Sequence, residues 1–319
     1  MEKVIVAREI PAAGLRLLPE AGYEPTTLSE DPPGRDALLD AVPGAAALLT
    51  TVTEKIDAGI LDAAGENLKV IANMAVGYDN IDVKAATERG VIVTNTPGVL
   101  DETTADTAFM LLLAAARRLG EAERMLRAGQ WKAWGPKQLI GPDVWGKTLG
   151  VVGIGRIGEA VARRARGFGM QVLYHARSAK PEIESGLGAE RRDLDELLRQ
   201  SDFVSVHTPL NGETQHLIGA RELSLMGEGA VLVNTSRGAV VDEAALADAL
   251  AESRIFSAGL DVYEEEPKVH PKLMGLENVV LAPHIGSASI ETRDRMAAMA
   301  AENIVAALKG HTPPNAVNA

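Results

Sequence analysis

Between Lys147 and Gly158 a short apolar run leads straight into three regularly stepped glycines. Lys147-Thr148-Leu149-Gly150-Val151-Val152 reads as a strand, Gly153-Ile154-Gly155-Arg156-Ile157-Gly158 follows at once, and 159–167 has a helical pattern. Each glycine has its own physical use. The first permits a tight turn, the second lets backbone approach a pyrophosphate, and the third allows close contact between helix and strand. The helix start adds unpaired N–H groups and partial positive charge, which suit phosphates. Three such glycines alone fit an ordinary turn; their place between a strand and a helix is what points to a dinucleotide. Gly153, Gly155, Arg156, Ile157 and Gly158 are thus candidate cofactor contacts, and a parallel sheet with helices on both faces is implied.

The same βαβ rhythm runs along the chain. Strand candidates at 3–7, 46–50, 69–73 and 91–94 alternate with helix-like stretches at 12–21, 55–63 and 82–88, with Asp82 as an N-cap. A second series has strand candidates at 148–152, 171–174, 203–206, 230–234, 257–260 and 279–282. Thr96-Pro97-Gly98 punctuates the chain as an inter-domain crossing. A long helix is expected over 101–119, with acids at its start and Arg117-Arg118 at its end, an order that suits the helix dipole. The loop 130–136 carries Trp131 and Trp134, and an amphipathic helix is expected over 291–309. A length of 319 residues suggests two domains at about 100–200 residues each.

Composition narrows the class. The chain has no cysteine, which excludes disulfides, thiolate zinc sites, Fe–S clusters and a cysteine nucleophile, and fits a cytoplasmic protein. A net charge of −12 argues against nucleic acid or an anionic membrane as partner. The N-terminus lacks the pattern of a signal peptide, and the longest apolar run, 108–116, is far short of the ~18 residues that span a bilayer. A soluble, acidic, cytoplasmic protein is expected, and no His/Asp spacing suggests a metal site.

An NAD site places an acid about 20 residues beyond the glycines, on the ribose 2′-OH. By count that place falls at Ala176, in Tyr174-His175-Ala176-Arg177-Ser178-Ala179-Lys180, and no acid occurs until Glu182. Arg177, Ser178 and Lys180 offer cations and a hydroxyl, which suit a 2′-phosphate. The reading favours NADP over NAD, with NAD left open.

Three later segments each place polar groups just beyond a strand: Arg237 in Asn234-Thr235-Ser236-Arg237-Gly238, Asp261 and Glu266 in Leu260-Asp261-Val262-Tyr263-Glu264-Glu265-Glu266-Pro267, and His284 in Pro283-His284-Ile285-Gly286. In an open parallel sheet, ligands bind beyond the carboxyl ends of the strands. An Arg, a carboxylate and a His suit hydride transfer to a 2-keto acid. The guanidinium binds a carboxylate bidentately and polarises the adjacent carbonyl. Protonated His donates to the developing alkoxide, and a carboxylate orients that ring and favours its protonated form. His175 lies by the cofactor loop, His207 ends a strand beside Thr208 and Pro209, which line the cofactor pocket, and His216, His270 and His311 read as surface.

These segments, with Asn73-Met74-Ala75-Val76-Gly77-Tyr78-Asp79-Asn80-Ile81-Asp82, resemble the D-isomer-specific 2-hydroxyacid dehydrogenases over nearly the whole chain. The resemblance implies Arg237, Glu266 and His284 as the catalytic trio, with His284 the proton donor. It implies Val76 and Gly77 as backbone amides on the substrate carboxylate, and Thr235, Asp261 and Gly286 as cofactor contacts. Within the family the chain looks most like the glyoxylate and hydroxypyruvate reductases, in which a tryptophan matching Trp134 reaches the neighbouring subunit's active site. The implied architecture is α/β, with two Rossmann-like doubly wound parallel sheets. A discontinuous, flavodoxin-like substrate domain (1–98 plus 288–319) would hold an inserted nucleotide domain (99–287). The apolar 101–119 and 131–136 stretches suggest a homodimer. Two alternatives stay open: another member such as a 2-ketogluconate reductase, and a non-catalytic dinucleotide-sensing protein. A 3-phosphoglycerate dehydrogenase often carries a regulatory domain for which too few residues follow His284, and a formate dehydrogenase has glutamine where Glu266 stands.

Overall fold

The computed structural model describes residues 2–318. Among them run twelve strands: β1 (Lys3–Val6), β2 (Glu24–Thr27), β3 (Ala45–Thr50), β4 (Val70–Asn73), β5 (Ile92–Thr94), β6 (Thr148–Val152), β7 (Gln171–His175), β8 (Glu190–Arg191), β9 (Phe203–Val206), β10 (Val231–Asn234), β11 (Ser257–Leu260) and β12 (Val279–Leu281). The chain divides into two compact units, Met1–Leu100 with Ala288–Ala319, and Asp101–Ser287. The first change-over falls slightly beyond the 98–99 divide read from the sequence, because the helix that opens the second unit begins at Asp101.

The first unit is a parallel sheet in the order β2-β1-β3-β4-β5, the flavodoxin-like winding. β3 and β4 are buried along their whole length, which their apolar runs require of central strands. β2 was not expected. Its sequence, Glu24-Pro25-Thr26-Thr27, has no apolar face, and a proline is tolerated because the strand lies at the sheet edge. The helix expected over 12–21 is two short pieces, Ala12–Leu15 and Leu17–Glu20, since Pro19 has no N–H to give Leu15. Asp57 and Asp82 cap the helices Ala58–Ala64 and Val83–Glu88, accepting from Ile60 N and Ala85 N. The chain returns at the end: helix Ile290–Leu308 packs on β3, β4 and Ala12–Leu15, and Val317 N donates to Val93 O at 2.8 Å.

The second unit is a parallel sheet in the order β12-β11-β10-β9-β6-β7-β8. In order along the chain this is a dinucleotide-binding 3-2-1-4-5-6 sheet with one more strand, and its direction of winding reverses between β6 and β9. Leu149, Val151, Val231 and Val233 fill one face with helices Asp101–Ala116 and Arg156–Gly167; Val152, Val204, Val206 and Leu232 fill the other. β8 escaped the sequence reading for the same reason as β2, being a short polar edge.

The helix expected over 101–119 also needs correction. The long helix ends at Ala116, because Arg118 adopts a left-handed φ of 52°, and a second helix follows over Leu119–Arg127. The apolar character of Asp101–Ala116 is used up inside its own unit. Leu111, Leu112 and Ala115 are buried, and a Cβ on Gly259 of β11 would lie 2.9 Å from the Leu111 Cβ. The buried face of the helix therefore needs no partner subunit, and Met110 is its exposed large apolar side chain. The exposed apolar side chains nearby are Met110, Leu119, Leu126, Trp131, Trp134 and Ile140. Among the described residues no helix is long and apolar enough to cross a membrane.

Candidate active site

The three glycines of the β6 loop do different work. Gly153 has a φ of 92°, and a Cβ there would lie 2.7 Å from Thr208 N and 2.8 Å from the His207 carbonyl carbon. Only glycine lets β6 turn this close to the end of β9. Gly158 is buried, and a Cβ there would overlap the Gly153 carbonyl, so helix and turn touch backbone to backbone. Gly155 instead faces open space, with nothing within 4 Å of an added Cβ. It is extended and precedes helix Arg156–Gly167, whose first amides, at Arg156, Ile157 and Gly158, start where the direction of winding reverses. That combination of open backbone and helix start fits a pyrophosphate.

Thr208 is half-buried and Pro209 exposed at the end of β9. The His207 imidazole lies against Ser205, with Oγ and Nε2 2.7 Å apart, and burial pulls its pKa down to about 4. The loop after β7 is held by its backbone. Arg191 Nη2 donates to Ala176 O (3.0 Å) and Arg177 O (3.1 Å), and Lys180 N donates to the Tyr174 hydroxyl (2.8 Å). The residues Arg177, Ser178 and Lys180 are left exposed. Arg191 was missed at the level of sequence: its partners are carbonyls, which leave no mark in a side-chain pattern.

Beyond β10, Asn234 folds the turn that carries Arg237. Its Nδ2 donates to Arg237 O (2.9 Å), and its Oδ1 accepts from Ser236 N (3.0 Å) and Ser236 Oγ (2.8 Å). Thr235 is buried and Arg237 half-buried. Beyond β11, Asp261 is 1% exposed, and its carboxylate accepts from Ile285 N and Gly286 N, both at 2.7 Å. Its carbonyl accepts from His284 N at 2.9 Å. Burial pushes the Asp261 carboxyl up, against the two amides. Asp261 thus ties down the turn in which His284 takes a left-handed φ of 54°.

His284 Nδ1 lies 2.8 Å from Glu266 Oε2, and Glu266 Oε1 accepts from Tyr263 N at 3.1 Å. Burial pushes the Glu266 carboxyl up, but the His284 ring, the Tyr263 amide and Arg237 outweigh it and hold it below the usual carboxylate range. The structure therefore brings Arg237, Glu266 and His284 together. With Nδ1 committed to a carboxylate, Nε2 is the nitrogen that can exchange a proton with a ligand.

Two acids from the Glu264-Glu265-Glu266 run and the helix Glu243–Ala251 brace this loop. Glu243 N donates to Glu264 Oε1 (2.7 Å), Glu264 N donates to Glu243 Oε2 (2.9 Å), and His270 N donates to Glu243 Oε1 (2.6 Å). His270, expected at the surface, is half-buried. A Cβ on Gly238 would overlap the Tyr263 carbonyl, so the Arg237 turn and the Glu266 loop meet through bare backbone. Nothing in the sequence marks Glu243 or Glu264 out, because their partners lie in different segments.

In the first unit, Val76 and Gly77 sit half-buried in the turn that follows β4. Trp134 is 80% exposed and Trp131 52%. Among the described residues no group of His, Asp or Glu is arranged to hold a metal.

Known proteins resemble this chain in sequence and fold. The profile of "D-isomer specific 2-hydroxyacid dehydrogenase, NAD binding domain" matches residues 109–286. A glyoxylate reductase of Thermococcus litoralis is 53% identical over 322 residues, covering 99% of this chain and 96% of its own. A crystal structure of a Thermus thermophilus protein superposes with a TM-score of 0.92 at 48% identity, covering 99% of both chains. An NADPH-dependent glyoxylate/hydroxypyruvate reductase of Sinorhizobium meliloti, solved with NADP and malonate, gives a TM-score of 0.85 at 35% identity, covering 99% of this chain and 96% of its own.

Proposed function

Because the chain belongs to the D-isomer-specific 2-hydroxyacid dehydrogenases, enzymes that use a nicotinamide dinucleotide, we propose that it reduces glyoxylate to glycolate and hydroxypyruvate to D-glycerate, with NADPH preferred. The observation that carries this reading is the 2.8 Å contact of His284 Nδ1 with Glu266 beside Arg237. When bound, the cofactor supplies the hydride that adds to the carbonyl carbon. His284 gives its Nε2 proton to the carbonyl oxygen, and Glu266 stabilises the imidazolium before that transfer. Arg237 pairs with the substrate carboxylate and polarises the carbonyl. The Val76 and Gly77 amides are assigned to a substrate carboxylate, which makes the first unit the substrate domain.

Gly153, Gly155, Arg156, Ile157 and Gly158 hold the pyrophosphate, and Thr208, Pro209, Thr235, Asp261 and Gly286 line the rest of the cofactor site. The preference for NADPH is supported by exposed Arg177, Ser178 and Lys180 and by the absence of an acid at Ala176. It also agrees with the cofactor of the Sinorhizobium meliloti relative. We assign a homodimer, supported by the exposed Met110, Leu119, Leu126, Trp131 and Trp134, with Trp134 reaching the neighbouring subunit's site. A cysteine-free sequence supports a cytoplasmic setting.

The test is oxidation of NADPH and NADH, followed by absorbance, with glyoxylate, hydroxypyruvate and 2-ketogluconate. Turnover of the first two, lost in His284→Ala by ~10²–10⁴-fold, is expected. Turnover of 2-ketogluconate alone refutes the substrate assignment, and no turnover of any keto acid favours a dinucleotide-sensing protein.

A further inference from the structure

Three consecutive carbonyls in the turn after β4 are each held by a donor. Ala75 O accepts from Thr96 N, Val76 O from Asn95 Nδ2 and Gly77 O from Asn73 Nδ2, each at 2.8 Å. In a trans peptide the C=O and the following N–H point in opposite directions. Holding the carbonyls of Ala75 and Val76 therefore turns the N–H groups of Val76 and Gly77 away from those donors. Neither amide donates to an acceptor among the described residues. Two successive amides presented in this way make a concave site for an anion.

The donors are themselves anchored. Asn73 is fully buried, and its Nδ2 also reaches Asn80 Oδ1 at 3.3 Å; Asn80 Nδ2 in turn donates to Thr51 O (2.8 Å) and Glu54 O (2.9 Å). Asn95 is 9% exposed, and its backbone is tied independently of its side chain. Its N donates to Asn315 O (3.3 Å) and its O accepts from Asn303 Nδ2 (3.4 Å). Among the described residues the Asn95 side chain has one partner, Val76 O, and thus one evident task, to set the plane of the Val76–Gly77 peptide.

We propose that Asn95 is a positioning residue for the substrate: its side-chain amide fixes the Val76–Gly77 peptide so that Gly77 N–H faces the substrate carboxylate. This rests on the reading above that the turn binds that carboxylate. Asn95 does not touch the substrate. Without its Nδ2, Val76 O loses its partner, the peptide is free to rotate, and the Gly77 amide no longer stays on the anion.

The test uses the full-length protein saturated with NADP⁺ and the inert 2-keto acid analogue oxamate, in wild type, Asn95→Ala and Asn95→Asp. The aspartate variant keeps the side chain's shape but removes the donor. An unchanged Tm and wild-type amide shifts away from the turn after β4 show that a variant is folded, the first unit included. In the wild type, amide NMR should show the Gly77 N–H responding to oxamate. In both variants oxamate affinity should fall about ten-fold, the scale of one hydrogen bond to a charged group. The Gly77 response should shrink, and KM for glyoxylate should rise more than kcat falls. Wild-type oxamate affinity and an intact Gly77 response in either folded variant overturn the role of Asn95 alone. A wild-type Gly77 amide that ignores oxamate overturns the carboxylate reading of the turn, and this proposal with it.

Discussion

Replacing Asp261 with asparagine tests how the histidine turn is held. The carboxylate accepts one amide on each oxygen, Ile285 N and Gly286 N, both at 2.7 Å, from a residue only 1% exposed. In Asp261→Asn one oxygen becomes an NH₂ group that must face an N–H. One hydrogen bond of a charged acceptor is lost, worth about 1.5–3 kcal/mol, and a buried donor is left unpaired, at about 1–3 kcal/mol more. His284 sits in this turn with a φ of 54°, a left-handed conformation that costs a non-glycine residue roughly 1–2 kcal/mol. With the clamp half gone, the turn has enough free energy to relax out of that conformation. A displacement of about 1 Å at a reacting group costs ~10²-fold in rate, so kcat should fall by about that factor. Burial already pushes the Asp261 carboxyl up, so removing the charge returns part of the lost stability. Tm should therefore move less than the lost hydrogen bonds imply. The assay is kcat and KM for keto-acid reduction, with dinucleotide affinity measured by fluorescence and Tm by calorimetry. A folded variant with wild-type kcat and weakened dinucleotide binding would refute the argument and leave Asp261 as a cofactor contact only.

Gly238→Ala should be as damaging from the other side: its methyl overlaps the Tyr263 carbonyl, so the Arg237 and Glu266 segments must part, at about 1–3 kcal/mol of overpacking. Loss of kcat/KM well beyond the change in Tm is expected, and wild-type kcat/KM would contradict it. The double change Ala176→Asp with Arg177→Ala should move preference from NADPH towards NADH, read as the ratio of the two kcat/KM values; an unchanged ratio sinks the loop's role in selectivity. His207, whose pKa is pulled down to about 4, should stay neutral by NMR to well below the ordinary titration range of about 6.5. Between those values the unfolded chain binds the proton and the folded one does not, so this residue's contribution to stability is present above about 6.5 and is lost as pH falls towards about 4. A His207 ring that titrates near its ordinary value in the folded protein contradicts this. Sedimentation should give twice the protomer mass, and Trp131→Ser with Leu126→Ser should shift it towards monomer; a wild-type monomer at micromolar concentration rejects the homodimer.

The parts of this protein legible in its sequence have local causes. Gly153, Gly155 and Gly158 declare themselves because a strand, a left-handed turn and a helix start follow one another without interruption, and each needs its glycine for a reason contained in a few residues. Central strands such as β3 and β10 are readable because burial on both faces demands unbroken apolar runs. Arg237, Glu266 and His284 could be nominated because each stands just beyond a strand of a parallel sheet, where ligands bind. β2 and β8 were silent because an edge strand needs no apolar face. The apolar content of Asp101–Ala116 did not name its partner, because it reports that a face is buried, not what buries it. Only the tertiary structure pairs Glu264 with Glu243, Arg191 with the Ala176 carbonyl, Asp261 with the amides of Ile285 and Gly286, and Asn95 with Val76. Most of these contacts have a backbone group as one partner, and backbone groups are the same at every residue, so composition and spacing carry no trace of them. Sequence therefore announces which side chains do the chemistry, while the fold decides which peptides hold them in place.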